Sequence, residues 1–284
     1  MEINRIAVIG AGAMGTGIAY QAARFGLEVT LNDIKQEFID KGISKIKEMV
    51  KTGVERKKLD LKDAKAIIEG IKPHLDLKEA VKDADMVVEA IFENMKVKKE
   101  LFAKLDEYTK PEAILATNTS SLSVTEIATA TKRPKKVIGT HFFNPVYTMK
   151  LVEIVLGEKS SEDTIETAIE FAKQLDKTPV KVKDSPGFIV NRILGALMGE
   201  AIKILQEGLA TGRDIDTAMT LGANHPVGPL TLADFVGLDI AAATANTLHK
   251  GLGDCYQTPK LLLEKVEKGE LGMKSGKGFF EYTE

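Results

Sequence analysis

A single cysteine, Cys255, is all that this chain of 284 residues carries, so no intramolecular disulfide braces the fold and a reducing compartment is expected. An excess of either charge is lacking as well: 39 basic residues face 41 acidic ones, and the isoelectric point is near 6.2. No global field therefore draws the chain to nucleic acid or to an anionic membrane, and an anionic ligand must be met by a local cluster of cations. Uninterrupted apolar runs stay well short of the roughly 18 residues that a membrane span requires. The amino terminus enters an apolar strand within a few residues, without a basic n-region or a long apolar h-region. No signal peptide is expected, and the reading is a cytoplasmic protein. Internal repeats, low-complexity runs and His/Cys metal spacings are missing too, so no metal is expected.

What is present begins at the amino end. Ile6-Ala7-Val8-Ile9 reads as a buried parallel strand, and Gly10, Gly12 and Gly15 follow at G-x-G-x-x-G spacing, with Ala13 and Met14 between them. A helical stripe of Ile18, Ala22 and Phe25 comes next. Gly10 suits the tight turn, Gly12 the close approach of backbone to a pyrophosphate, and Gly15 the packing of helix on strand, with phosphates at the positive end of the helix. A second strand over 28–32 ends at Asp33, whose carboxylate is placed to accept hydrogen bonds from a ribose 2′-hydroxyl and to repel a 2′-phosphate. Strand, glycines, helix and acid in this order point to a dinucleotide.

Residues 34–53 carry a stripe of Phe38, Ile39, Ile43, Ile46, Met49 and Val50, with Lys41, Lys45, Lys47 and Lys51 on the other face, and a second helix is expected over 61–69. This pair is longer than a crossover requires, which makes its lysines candidates for a substrate phosphate. Strands over 71–75, 85–91 and 113–117 alternate with helices over 77–84 and 96–108 through short connections. The pattern predicts an α/β, Rossmann-type doubly wound sheet whose ligands lie beyond the carboxyl ends of the strands. Two polar stretches fall at those ends, Phe92-Glu93-Asn94 and Asn118-Thr119-Ser120-Ser121. Ser121 or Ser123 is expected to cap the helix that starts near Val124.

Strands over 137–142 and 151–156 flank a loop in which His141 and Glu153 each lie six residues from Tyr147. Antiparallel pairing about that midpoint makes imidazole and carboxylate cross-strand neighbours, with Cβ atoms about 4.5–5.5 Å apart. An acid there fixes the histidine tautomer and favours the imidazolium, as a general base near neutral pH requires; a buried structural ion pair, or a different strand register, is the alternative. A helix over 161–175 and a strand over 178–182 complete a first domain, 1–183. After it, Ser185 is expected to cap, and Pro186 to open, a helix whose stripe from Ile189 to Leu205 stops at Gly208, with Asn191 one turn in and off the stripe. Helices over 215–221, 230–235, 240–248 and 259–268 make the remainder, 184–284, a smaller all-α domain. Its apolar surface implies burial against a second copy.

Taken in order, Gly10-Ala-Gly-Ala-Met-Gly15, Asn118-Thr-Ser-Ser-Leu122, His141-Phe-Phe-Asn-Pro145, Lys150-Leu-Val-Glu153, Asp184-Ser-Pro-Gly-Phe-Ile-Val-Asn-Arg192 and Lys274-Ser-Gly-Lys-Gly-Phe279 span essentially the whole chain. Together they resemble the 3-hydroxyacyl-CoA dehydrogenases, and in length and layout the bacterial 3-hydroxybutyryl-CoA dehydrogenases among them. The resemblance implies interconversion of (S)-3-hydroxyacyl-CoA and 3-ketoacyl-CoA by hydride transfer, in fatty-acid oxidation or a butyrate-type reductive pathway. It implies His141 as the general base, Glu153 as its orienting partner, and Ser120 and Asn191 as holders of the substrate oxygen. Glu93, Lys98, Asn118, Ser120, Asn144 and Lys274 match the family's cofactor contacts. The helical pair after Asp33 matches the region that receives CoA, with Lys51 as the expected phosphate contact. A homodimer through the helical domain is implied as well.

The sequence departs from the family at Tyr147, where proline is common. At Asn32, beside Asp33, cofactor choice is partly set; NAD is expected, and NADP would need cations of which Lys35 is the only close one. Two other readings stand beside this one. A two-domain β-hydroxyacid dehydrogenase would take a free acid and use a lysine base; a crystallin-like protein would bind the dinucleotide without catalysis.

Overall fold

The computed structural model describes residues 1–282 and divides into two compact units, Met1–Asp184 and Ser185–Glu284. The first unit runs β1 (Arg5–Ile9), α1 (Ala13–Arg24), β2 (Glu28–Asn32), α2 (Gln36–Glu55), α3 (Leu61–Glu69), β3 (Ile71–His74), α4 (Leu77–Val81), β4 (Met86–Glu89) and α5 (Met95–Tyr108). It continues with β5 (Ile114–Thr117), α6 (Val124–Ala128), β6 (Val137–Phe142), β7 (Leu151–Leu156), α7 (Glu162–Gln174) and β8 (Thr178–Lys183). The eight strands form one sheet in the order β3-β2-β1-β4-β5-β6-β7-β8. Every neighbouring pair is parallel except β6 and β7, so β7 and β8 run against the rest. The continuous apolar runs of β4, β5 and β6 are buried along their whole length, as strands covered on both faces must be. From β1 the chain winds first toward β2 and β3 and then returns to β4 on the other side. The carboxyl ends of β1 and β4 therefore mark the switch point at which ligands of such sheets bind.

Local chemistry sets the element boundaries. Gly10 (φ 105°) leaves β1 in a conformation that L side chains rarely adopt, and a Cβ on Gly15 would lie 1.8 Å from the Gly10 carbonyl oxygen. Helix α1 thus rests on the turn only because residue 15 has no side chain. Ser123, one of the two expected caps, accepts the Glu126 amide at the start of α6, while Ser121 is engaged elsewhere.

The second unit is helical: α8 (Val190–Gln206), α9 (Gly212–Thr217) running into a wider turn over Ala218–Gly222, α10 (Pro229–Val236), α11 (Leu238–Leu252) and α12 (Lys260–Glu267). Met198, Ile202, Leu230, Leu238 and Leu262 lie in its core. Helix α8 starts later than its apolar stripe suggests. Gly187 (φ 71°) and Phe188 (φ 50°) are left-handed, so Ser185 and Pro186 belong to a preceding turn and Ile189 stands at the cap position. Asn191 is consequently in the first turn of α8 rather than one turn in. At the far end Gly208 (φ 70°) stops the helix as expected. The buried carboxylate of Asp234 accepts the Phe279 and Phe280 amides and the Tyr282 hydroxyl, which pins the carboxyl-terminal tail to α10. Among the described residues no helix is long and apolar enough to cross a membrane.

Candidate active site

At the switch point the glycine turn is built to receive a dinucleotide. A Cβ on Gly10 would meet the Ala90 carbonyl at 2.6 Å, whereas one on Gly12 would meet nothing within 4 Å. Gly10 and Gly15 are thus fixed by the protein's own packing. Gly12 is not, and the open space over it suits an incoming pyrophosphate at the amino end of α1. Asp33 accepts the Ala11 amide on Oδ2 and the Ile34 amide on Oδ1, each at 2.7 Å. Both oxygens keep a further lone pair to accept another hydrogen bond. Asn32 is buried, and its amide donates to the His74 and Leu75 carbonyls, tying β2 to the end of β3. Lys35 pairs at 3.9 Å with Glu37.

Beyond β4 and β5 lies a network of buried charge. Glu89, fully buried at the end of β4, accepts Lys98 Nζ at 2.6 Å, the Ile91 amide at 2.8 Å and the Thr117 hydroxyl at 2.7 Å. Lys98 also reaches Glu93 at 3.3 Å. Glu93 in turn gathers the loop after β5: its Oε1 accepts the Thr119 hydroxyl, the amides of Ser120 and Ser121, and both serine hydroxyls. Burial alone would raise the Glu93 pKa; the Lys98 charge and the bonds from Thr119 and Ser120 outweigh it and hold the carboxyl below its usual range. Asn118 Oδ1 accepts the Phe142 amide at 2.9 Å, which locks the end of β5 to the end of β6.

His141 and Glu153 face each other across the antiparallel β6–β7 pair, in the register expected from the sequence. His141 donates Nδ1–H to Glu153 Oε2 at 2.7 Å, and both side chains are buried. That bond fixes the tautomer in which Nε2 is the basic ring nitrogen. Phe143 packs on the imidazole with ring centroids 4.4 Å apart. Asn144 is exposed at the start of the β6–β7 loop and precedes a cis proline, Pro145. Two expected site residues belong to the second unit. Asn191 is half-buried in α8, and Lys274 Nζ bonds both carboxylate oxygens of Asp239, at 2.5 and 2.7 Å.

Lys51, the expected phosphate contact, is directed elsewhere: it lies on the exposed face of α2 and pairs at 3.8 Å with Glu55. A groove of about 620 Å³ is lined instead by other residues of α2 and the turn after it, by α1 and by the β6–β7 loop. Arg24, Lys45, Arg56 and Lys58 line it, with Tyr20 and Tyr147. Lys45 is taken by Glu48 at 2.8 Å; Arg24, Arg56 and Lys58 have no ion pair among the described residues. Lys45 was among the lysines expected from the sequence; Arg24 was not, nor were Arg56 and Lys58, because only the fold brings the end of α1 beside the turn after α2. Glu89 did carry a signal, since a glutamate inside the run Met-Val-Val-Glu-Ala-Ile needs a buried partner just as Glu153 does.

The family models agree with this architecture. The NAD binding domain of 3-hydroxyacyl-CoA dehydrogenase matches residues 5–185, and the carboxyl-terminal domain of the same family matches residues 187–282. A probable 3-hydroxybutyryl-CoA dehydrogenase of Bacillus subtilis is 47% identical over 285 residues, covering 100% of this chain and 99% of its own. The 3-hydroxybutyryl-CoA dehydrogenase of Clostridioides difficile is 46% identical over 280 residues, covering 98% and 99%. The crystal structure of (S)-3-hydroxybutyryl-CoA dehydrogenase from Ralstonia eutropha matches with a TM-score of 0.97 at 39% identity, over 100% of both chains. With glycine turn, Glu153-bound histidine and both family models in one chain, this protein belongs to the 3-hydroxyacyl-CoA dehydrogenase family.

Proposed function

We propose that the protein interconverts (S)-3-hydroxybutyryl-CoA and acetoacetyl-CoA, or a close homologue of that pair, with His141 moving the hydroxyl proton. The observation that carries this reading is the 2.7 Å bond between His141 Nδ1 and Glu153 in a buried, paired register. Nε2 takes the proton from the 3-hydroxyl in oxidation and returns it in reduction, while Glu153 holds the ring and offsets the charge that arrives on it. When bound, the nicotinamide supplies hydride exchange at C3. Ser120, set by Glu93, and Asn191 hold the substrate oxygen. Asp33, its oxygens already ordered by two amides, takes the ribose hydroxyls and disfavours a 2′-phosphate, which makes NAD the preferred cofactor. The groove cations Arg24, Arg56 and Lys58 replace Lys51 as contacts for the CoA phosphates.

The test is the rate of NADH and NADPH oxidation with acetoacetyl-CoA and with free acetoacetate. NADH with the CoA thioester is expected to be fastest, and preference for the free acid would overturn the CoA assignment. His141→Gln is expected to lower turnover by about 10²–10⁴ while NADH fluorescence titrations still report binding. Unchanged turnover would remove His141 as the base.

A further inference from the structure

We propose that Tyr147 is a specificity residue for the CoA moiety, its ring serving as the face on which the adenine of the substrate's nucleotide stacks. This rests on the groove beside α2 being the CoA subsite. The wall that carries Tyr147 is unusually well fixed for a loop. Val146 packs where Gly17 of α1 has no side chain; a Cβ there would lie 2.9 Å from the valine. Lys177 Nζ donates to the carbonyls of Val146 at 2.5 Å and Met149 at 2.9 Å, so both sides of residue 147 are held. The Tyr147 ring then stands at 85° to that of Tyr20, with centroids 6.2 Å apart. Tyr20 is buried and 48% of Tyr147 remains exposed, toward a groove that both rings line.

A ring held this way loses little freedom when a second ring lies on it, which is the condition under which stacking shows up as affinity. The neighbours say which ring. Arg24, Arg56 and Lys58 line the same groove without carboxylate partners among the described residues, and a cation cluster beside an aromatic face matches a ligand that carries phosphates and a base together. In a CoA thioester only the nucleotide end has that chemistry. Pantetheine and a short acyl chain carry neither charge nor ring.

The experiment compares acetoacetyl-CoA with acetoacetyl-pantetheine, which lacks the nucleotide, and reads the ratio of the two kcat/KM values. Tyr147→Ala is expected to lower that ratio about tenfold, the size of one lost base–aromatic stack. Tyr147→Phe is expected to keep it near the wild-type value, since the ring and not the hydroxyl is used. An unchanged ratio in Tyr147→Ala, or a Phe variant that behaves like Ala, overturns the inference. A double variant, Arg56→Gln with Lys58→Gln, separates the two levels. If it lowers the ratio and Tyr147→Ala does not, the groove holds CoA without the tyrosine; if it leaves the ratio intact, the groove is not the CoA subsite and the inference falls with it.

Discussion

At the scale of single residues, a few buried charges decide where the chemistry is held. Lys177 is the clearest case outside the reaction itself. Burial, reinforced by the nearby Lys150 charge, pulls its pKa from 10.5 down to about 8. Below pH 8 the folded and unfolded chains both carry the proton, and the folded state bears the cost of the buried ammonium. Between about 8 and 10.5 the unfolded chain still binds the proton and the folded one has shed it, so this group makes stability rise with pH across that window. A neutral amine still donates to the Val146 and Met149 carbonyls, and the clamp on the loop persists. Urea unfolding of the wild type and of Lys177→Met at pH 7.5 and pH 10 checks this: the wild type should gain on the variant as pH rises. A difference that shrinks or stays flat would place the lysine's titration outside the window.

At the scale of elements, the two kinds of glycine in the nucleotide turn make separable predictions. Gly15→Ala puts a methyl 1.8 Å from a backbone carbonyl and must push α1 off β1, at a cost of about 1–3 kcal/mol or more. Gly12→Ala meets no protein atom within 4 Å. Its melting temperature is expected near that of the wild type, with NADH binding weakened. The pair would be refuted by a Gly12→Ala protein that binds NADH normally, or by a Gly15→Ala protein that melts like the wild type. Elements of this kind are well written in the sequence. The β6–β7 register could be read because a buried glutamate and a histidine lie symmetrically about one loop, and a one-residue slip would turn both away from each other. The start of α8 could not. Its apolar stripe is continuous with Ile189, but the backbone turns left-handed at Gly187 and Phe188, and a non-glycine residue at positive φ leaves no trace in hydrophobic periodicity. The choice between Ser121 and Ser123 as cap was likewise open until Glu93, far away in the chain, claimed Ser121.

At the scale of the whole molecule, the first unit's sheet was legible because alternating strands and helices allow few windings, whereas the groove was not, since it draws on α1, α2 and the β6–β7 loop at once. The second unit poses a different question. Ile193, Leu209, Leu221, Phe235 and Ile240 are each at least half exposed in a unit of about a hundred residues, which is more large apolar surface than a small helical domain ordinarily leaves in water. Burying such side chains is worth about 1.5–3 kcal/mol apiece, enough in sum to hold two copies together after the cost of association. A homodimer through the helical unit is the expected outcome, in which case sedimentation equilibrium should give a mass near twice 30.9 kDa. Because the folded monomer would then be the less stable species, the melting temperature should climb with protein concentration between micromolar and hundred-micromolar samples. A single 30.9 kDa species with a concentration-independent melt would mean that these side chains face water in the working protein.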